Sequence, residues 1–292
     1  MSANTATQPS SRPALITFEG EARSGKGTSV RAVYKALQAA GHSVVFIDQG
    51  QKFRAVAYQA LEQGISLQDE SALTEFLANA DTKAAVISFI TSLTHMSEAD
   101  IQSLLYTPEI ASGSAAVGVN RTAQELLPHL LFEQVAHITQ TKSADIILID
   151  GRDIATLAWH IDTIGMADFL LGYYFRCDTA IAARRTEGIF VDMDSMSIDE
   201  KLQLLEAITR ISDRNRIDAL RSVNPMREPA NAYPLHTVDF VLDDEAYVTQ
   251  VALDVLVGKM VSINTSYTQN VQEMLDPVVA LTARAVELGR KA

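Results

Sequence analysis

One glycine-rich segment, residues 20–28 (GEARSGKGT), constrains the fold of this chain more than any other part of it. It follows a short apolar run at 14–18 and leads into a helix-patterned stretch at 29–40. A strand, a glycine-rich turn, a lysine with a nearby hydroxyl and a helix, in that order, are the context that identifies a phosphate-binding P-loop. The segment therefore predicts that the chain binds a nucleoside triphosphate, through Gly20, Ser24, Gly25, Lys26, Gly27 and Thr28.

The residue types in this loop have physical reasons to be there. Gly20 and Gly25 allow the positive φ angles with which consecutive backbone N–H groups surround a phosphate. The following helix directs its N-terminal N–H groups and the positive end of its dipole at the same anion. Lys26 is predicted to reach the β- and γ-phosphates of ATP, and the Thr28 hydroxyl is predicted to hold Mg²⁺.

The composition fits a soluble enzyme and argues against other classes of protein. With 292 residues, of which 47% are hydrophobic, the chain can bury one large core with inserts. The net charge of −12 argues against binding to nucleic acid or to an anionic membrane, because both repel an acidic surface. The single cysteine, Cys177, excludes an intrachain disulfide and is typical of a reducing compartment, so we expect a cytoplasmic protein.

Strand and helix patterns alternate along the chain, which predicts an α/β fold. Five apolar runs have the length of buried strands, at 14–18, 44–47, 145–150, 169–175 and 237–242. Helix-patterned stretches separate them, as connections between parallel strands require. We therefore predict a P-loop fold with three α/β/α layers around a central parallel sheet of five strands.

The stretch between the second and third predicted strands is far longer than a crossover needs. It has helical patterns at 53–63, 71–80, 83–93, 98–105 and 123–141, which predict a helical acceptor-binding insert at about 50–140. The other predicted parts are a flexible tail at 1–13, a P-loop core at 14–262, a lid at about 184–197 and a helical extension at 263–292. After the lid, a capping box at 197–200 opens a helix that is predicted to bury Leu202, Leu205, Ile208 and Ile211.

A second motif, residues 150–153 (DGRD), stands where the third predicted strand ends. In open α/β sheets, ligands bind outside the carboxyl ends of the strands, so this position suits chemistry. Asp150 is predicted to support Mg²⁺, directly or through water. Arg152 and Asp153 offer a phosphate-binding fork and a hydrogen-bond acceptor side by side.

Four segments together resemble the cytidylate kinases, which are P-loop nucleoside monophosphate kinases. The segments are 25–28 (GKGT), 48–54 (DQGQKFR), 150–156 (DGRDIAT) and 214–225 (RNRIDALRSVNP). The resemblance implies phosphoryl transfer from ATP, with Mg²⁺, to a nucleoside monophosphate, with CMP or dCMP as the first candidates. It implies a catalytic set of Lys26, Asp150, Arg184 and Arg185, in which the last two close over the transferring group. It places the acceptor against Asp48, Arg54, Gln124, Arg152, Asp153, Arg214, Asp218 and Arg221.

The chain departs from the family pattern where the acceptor is held. The departures are at Gln49, Ala115, Gln124 and Asn215, where the family has Ser, Ser, Arg and Asp. Ser114 and Arg121 stand nearby and are alternative contacts if the alignment shifts. A neutral Gln in place of Arg removes a bidentate, charge-assisted phosphate contact, so these changes bear on the acceptor more than on phosphoryl transfer.

Two alternative functions follow from these departures. The first is a kinase for another monophosphate such as dTMP or UMP. Residues 16–20 and 41–46 also resemble thymidylate kinases, although that family lacks the DGRD segment. The second is a non-catalytic nucleotide-binding protein with a degraded acceptor site. In either case we expect a nucleotide partner, no nucleic acid, no membrane, and a monomer or a weak homo-oligomer.

Overall fold

The fold is seen in a computed structural model that describes residues 12–39, 41–221, 225–226 and 235–240. Its centre is one sheet of five parallel strands in the order β2-β3-β1-β4-β5. The strands are β1 Ala14–Gly20, β2 Val44–Asp48, β3 Ile146–Asp150, β4 Asp168–Cys177 and β5 Leu235–Phe240. The predicted parallel five-stranded sheet is therefore confirmed.

The strand order brings the two predicted motifs together. β1 lies between β3 and β4, and Phe18 of β1 pairs in register with Asp150 of β3. Every residue of β3 is buried, as expected for a strand with neighbours on both edges and helices on both faces. Because the carboxyl ends of parallel strands meet at one edge of the sheet, the loop after Gly20 lies beside the turn after Asp150.

Helices cover both faces of the sheet and fill the insert. They are α1 Lys26–Ala39, α2 Gln49–Glu62, α3 Glu70–Ala78, α4 Ala80–Ser92, α5 Glu98–Leu105, α6 Pro108–Val119, α7 Arg121–Thr141, α8 Ile154–Thr163, α9 Thr179–Glu187 and α10 Ile198–Ala219. Two short 3₁₀ helices are Leu93–His95 and Met193–Ser195. One hydrophobic cluster around Phe18 and Phe175 packs on one face of the sheet, and another around Ile147 and Ile161 packs on the other, so the three layers are confirmed.

The insert between β2 and β3 has a hydrophobic cluster of its own. It contains Val56, Leu73, Leu77, Val117 and Leu127, all nearly inaccessible to solvent. Five of its six helices match helical patterns in the sequence, whereas α6 lies where no helix was predicted. The insert is therefore a packed helical body with a core of its own.

The helix after the lid corrects one sequence expectation. The capping box is present, because Ser197 and Glu200 each accept from the other's backbone N–H. The predicted buried stripe is wrong at Leu202 and Leu205, which are 54% and 60% exposed. The prediction is confirmed at Ile211, which is buried, and Ile208 is partly buried. Steps of three residues drift around a helix of 3.6 residues per turn, so Leu204 and Ala207 complete the buried face.

Some predicted parts lie outside the described residues. These are most of the tail at 1–13, the end of the fifth strand at 241–242, the last part of the core and the extension at 263–292. In the part of the chain that the structure describes, no helix is long and apolar enough to cross a membrane.

Candidate active site

The P-loop turns sharply at the end of β1. Gly20, Arg23 and Gly25 have φ angles of 130°, 60° and 93°. A Cβ at Gly20 would lie 2.2 Å from the carbonyl oxygen of Phe175, so only glycine fits at that position. The backbone reaches the neighbouring strand there, and Glu21 N donates to the same Phe175 carbonyl at 2.9 Å.

Helix α1 starts within this loop, at Lys26. The amides of Thr28 and Ser29 both donate to the carbonyl of Gly25, at 3.1 Å each. Ser24 is 1% exposed and donates its hydroxyl to the carbonyl of Glu21 at 2.9 Å, so this side chain holds the shape of the loop. The geometry suits a bound anion, because a helix N-terminus favours negative charge.

Lys26 and Asp150 form a close ion pair across the two motifs. Burial lowers the pKa of Lys26, the nearby Arg152 lowers it further, and negative charge at Asp48 acts in the opposite direction. The Thr28 hydroxyl and the Asp150 carboxylate supply hard oxygen ligands, the type that Mg²⁺ prefers when phosphate oxygens and water complete its shell. The donor set therefore fits a nucleotide-bound magnesium ion.

Asp218 holds three arginines together behind the site. It is fully buried; its Oδ2 accepts from Arg152 Nε at 2.9 Å and from Arg214 Nε at 3.1 Å, and its Oδ1 forms an ion pair with Arg221 Nη2 at 2.5 Å. Burial by itself raises the pKa of Asp218, but the three guanidinium groups outweigh it, and the net shift is downward. Arg152 also donates to the carbonyl of Gly20, so this cluster is connected directly to the P-loop.

A cavity of about 240 Å³ lies between the P-loop and the insert, and we call it the acceptor cavity. The predicted site residues in its wall are Lys26, Gly27, Asp48, Arg54, Gln124, Asp150, Arg152, Arg214 and Arg221. Phe53, Leu127 and Leu157 add apolar surface. Cations, hydrogen-bonding groups and apolar side chains thus meet in one space of a size that suits a small ligand.

Tyr106 organises one wall of the acceptor cavity. The guanidinium of Arg54 lies 4.4 Å from the centre of the Tyr106 ring, and the Tyr106 hydroxyl donates to Asp48 Oδ2 at 3.2 Å. Asp48 also caps α2 by accepting from Gln51 N at 3.0 Å. Arg54 is therefore oriented by stacking on an aromatic ring, a contact that was not predicted from the sequence.

Two buried glutamines in the acceptor cavity each have an amide atom without a partner among the described residues. Gln124 is 2% exposed; its Nε2 donates to the carbonyl of Gly118 at 2.6 Å, and its Oε1 is unpaired. Gln49 is 5% exposed, and its Nε2 is unpaired. Pro128, inside α7, lacks the N–H that would bond the backbone carbonyl of Gln124. Buried polar groups are rarely left unpaired, so these atoms point to a polar ligand.

The two alternative contacts in this region differ in position. Ser114 lines the acceptor cavity and donates its hydroxyl to the carbonyl of Ala111 at 2.9 Å. Arg121 is exposed and pairs with Glu125 at 2.8 Å, away from the cavity. Ala115 is not among the described residues of the cavity wall.

Asp153 is not among the described residues that line the acceptor cavity either. It precedes α8 with a φ angle of 50°, and its Oδ1 accepts from the Thr156 hydroxyl at 2.7 Å. The contact between Asp153 and the acceptor base stays a prediction.

The two lid arginines have different neighbours. Arg184 is 7% exposed and donates to the carbonyls of Val191 and Ile189. It therefore holds this part of the predicted lid against the end of α9. Arg185 donates to the carbonyl of Arg23 at 2.9 Å and contacts Cys177 Sγ at 3.3 Å. Arg185 thus lies against the P-loop, whereas Arg184 serves the lid segment itself.

Two further residues connect the motifs. Glu19 is 4% exposed and accepts from Ile154 N at 2.7 Å and from Ala155 N at 3.2 Å, at the start of α8. Asn215 of α10 accepts from Ala22 N of the P-loop at 2.8 Å. The sequence signal for Glu19 was its position directly before the glycine-rich loop. The signal for Asn215 was its departure from the family pattern.

Comparisons with known proteins place most of the chain in one family. A family model described as cytidylate kinase matches residues 16–251. A cytidylate kinase of Lysinibacillus sphaericus strain C3-41 is 30% identical over 234 residues, which cover 79% of this chain and 92% of that protein. A cytidylate kinase of Bacillus anthracis is 25% identical over 83% of this chain and 96% of its own. One of Bacillus thuringiensis strain Al Hakam is 25% identical over 78% and 91%.

Proposed function

The chain belongs to the cytidylate kinase family, and on this premise we propose that it transfers the γ-phosphoryl group of ATP, with Mg²⁺, to CMP or dCMP. Family membership makes the chain a nucleoside monophosphate kinase. The donor, the metal, the acceptor base and the roles of individual residues are the proposed parts. The observation that carries the proposal is the acceptor cavity, where the P-loop lysine, the DGRD turn and the insert meet.

On the donor side, the loop at 20–28 binds the triphosphate of ATP through its backbone N–H groups. Lys26 exchanges its contact with Asp150 for phosphate oxygens when the nucleotide enters. Thr28 and Asp150 would hold Mg²⁺, which would supply positive charge against the transferring group. Arg185, already against the P-loop, is placed to add positive charge as the site closes.

On the acceptor side, cations position the monophosphate for in-line attack. Arg152 and Arg214 are fixed by Asp218, and Arg54 is fixed by Tyr106. Phosphoryl transfer needs little covalent help, so positioning two anions in a cage of cations is the main contribution of the protein. Asp48 accepts hydrogen bonds from the sugar of the acceptor in this scheme.

The base of the acceptor lies against the insert. Gln124 Oε1 is an unpaired acceptor that fits the exocyclic amino group of cytosine, and Gln49 Nε2 is an unpaired donor that fits a ring nitrogen or carbonyl. Phe53 and Leu127 supply apolar surface for the ring faces. Satisfying both amide atoms with one base removes two buried, unpaired groups at once.

An ADP-release assay across CMP, dCMP, UMP, dTMP and AMP tests the proposal. We expect the highest kcat/KM with CMP or dCMP. Arg54→Ala should raise the KM of that acceptor at least about tenfold, since a charged hydrogen bond contributes about 1.5–3 kcal/mol. Arg121→Ala removes an arginine outside the cavity and is the matched control. Turnover with none of the five would leave only nucleotide binding.

UMP or dTMP is the second candidate acceptor, because the neutral amide of Gln124 can also bond its base. Gln124 Oε1 can also accept from the ring N–H of uracil or thymine, which has no exocyclic amino group. A clear preference for UMP or dTMP in the same assay would replace the cytidine assignment and keep the kinase assignment.

A further inference from the structure

A second and larger cavity lies on the other side of β2. Its volume is about 750 Å³, and it is an open cavity lined by residues of α1, β2, α2, α4, α5 and α7. β2 is an edge strand of the sheet, so the insert helices cover this edge and leave the cavity between themselves and the strand. Apolar side chains form much of the wall, among them Phe46, Ile87, Ile90, Met96 and Leu130.

Lys52 places a buried cation in this cavity. The residue is 6% exposed and lines the second cavity, not the acceptor cavity. Its Nζ donates to Gln134 Oε1 at 2.9 Å, and among the described residues it forms no ion pair. Burial lowers the pKa of Lys52 to about 8, although the charge of Asp48 acts against this shift. A buried ammonium whose bonded partner is neutral is costly unless an anion completes its surroundings.

We infer that the second cavity binds a small amphipathic monocarboxylate, with its carboxylate on Lys52 and its apolar body among the insert helices. One ammonium balances one negative charge, which favours a carboxylate over a doubly charged phosphate group. The other basic side chains of the wall are Arg31, which lies 3.7 Å from Glu98, and the exposed Lys35 and His137. The wall also carries three carboxylates, Asp48, Glu98 and Glu133, but among these charged residues only Lys52 is buried. The volume lies within the range of small-molecule sites, and apolar surface combined with a buried charged group and further polar groups is typical of them.

Octanoate is a suitable probe, because it combines one carboxylate with an apolar chain. Calorimetry on the full chain should show one octanoate bound per chain. Octan-1-ol, which has the same body without charge, should bind at least tenfold more weakly. Inorganic phosphate, which has charge without a body, should not displace octanoate.

Variants of the wall locate the probe. Lys52→Met keeps the length of the side chain and removes its charge, and it should weaken octanoate binding at least tenfold. Lys35→Met removes a lysine from the rim and should change the affinity less than twofold. Thr91→Trp fills the cavity from an exposed position and should abolish binding in a folded protein. Equal affinities for the wild type and Lys52→Met, or for octanoate and octanol, would overturn the inference.

The two cavities share a wall, which gives the second site a regulatory role. Arg31 and Asp48 line both. This part rests on the proposed function. The negative charges of a bound carboxylate and of the acceptor phosphate repel each other across the shared wall. Saturating octanoate should therefore raise the KM of the wild type for CMP at least twofold. It should leave the KM of Lys52→Met for CMP unchanged. Binding is measured without turnover, so failure of the kinase proposal leaves the binding test intact. Octanoate binding with an unchanged KM would overturn the regulatory role.

Discussion

Glu19 Oε2 accepts a hydrogen bond from Ile154 N at 2.7 Å and thereby joins the residue before the P-loop to the first turn of α8. The carboxylate is almost completely buried and also accepts from Ala155 N. Burial raises the pKa of Glu19 from 4.5 to about 7, because the two backbone donors and the more distant Lys26 do not compensate for the lost hydration. The charged form of Glu19 is therefore disfavoured by folding.

This relationship predicts how stability depends on pH. A folded-state pKa above the unfolded value means that the contribution of Glu19 is fully present below about pH 4.5 and is lost as the pH rises through about 7. Glu19→Gln keeps the two N–H bonds without the charge. Relative to the wild type, it should be nearly neutral at pH 4.5 and more stable by about 2–3 kcal/mol at pH 8. Urea unfolding at both pH values measures this.

Glu75→Gln is the matched control for this experiment, because Glu75 is exposed on α3. Its stability should follow the wild type at every pH. Parallel stability curves for Glu19→Gln and the wild type would show that the Glu19 carboxylate titrates normally.

Lys26→Ala should lower turnover by about 10²-fold or more, because Lys26 acts on charge that develops during phosphoryl transfer. The variant also leaves the buried Asp150 without its ion-pair partner, so some loss of thermal stability is expected. Steady-state ADP release and circular dichroism separate the two effects. Lys83→Ala removes an exposed lysine of the insert and should retain full activity. Near wild-type turnover by a folded Lys26→Ala variant would contradict the P-loop assignment.

Asp218→Asn should destabilise the fold strongly, because three arginines lose their shared buried carboxylate. Breaking a buried pair by removing one partner costs about 3–5 kcal/mol. Asp213 pairs with Arg216 at 3.2 Å on the exposed side of the same helix, and Asp213→Asn should cost less than about 1 kcal/mol. Denaturant midpoints of the two variants make the comparison. Similar midpoints would mean that the arginines are held by other contacts.

The sequence predicted the sheet well because its strands are short apolar runs whose burial leaves little choice of structure. It did not predict α6, whose sequence contains Gly113 and Gly118 and has low helix propensity. Packing explains both glycines: a Cβ at Gly113 would lie 2.2 Å from Leu67 Cδ1, and one at Gly118 would lie 2.6 Å from Arg221 Nη2. Contacts between residues so far apart in the chain cannot be derived from local pattern.

The candidate site was predictable only where local motifs specify it. The P-loop and the DGRD turn are each one unbroken stretch of sequence, and the strand order brings them together. The stacking of Arg54 on Tyr106 and the contact of Asn215 with the P-loop join distant segments and have no local signature. Conversely, Asp153 belongs to a motif, yet its side chain bonds to Thr156.

Gln124→Leu tests base recognition with two readouts, the KM for the preferred acceptor and the melting temperature of the free protein. If Gln124 Oε1 binds the acceptor base, the variant loses the hydrogen bond between them. The KM for the preferred acceptor should then rise about tenfold, with kcat nearly unchanged. In the free protein, removal of the unpaired Oε1 offsets the loss of the Nε2 bond to Gly118, so the melting temperature should change little. If the Nε2 bond to Gly118 is the purpose of the side chain, Gln124→Leu should lower the melting temperature and leave KM unchanged. Thermal unfolding without ligand, compared with steady-state kinetics, distinguishes the two roles.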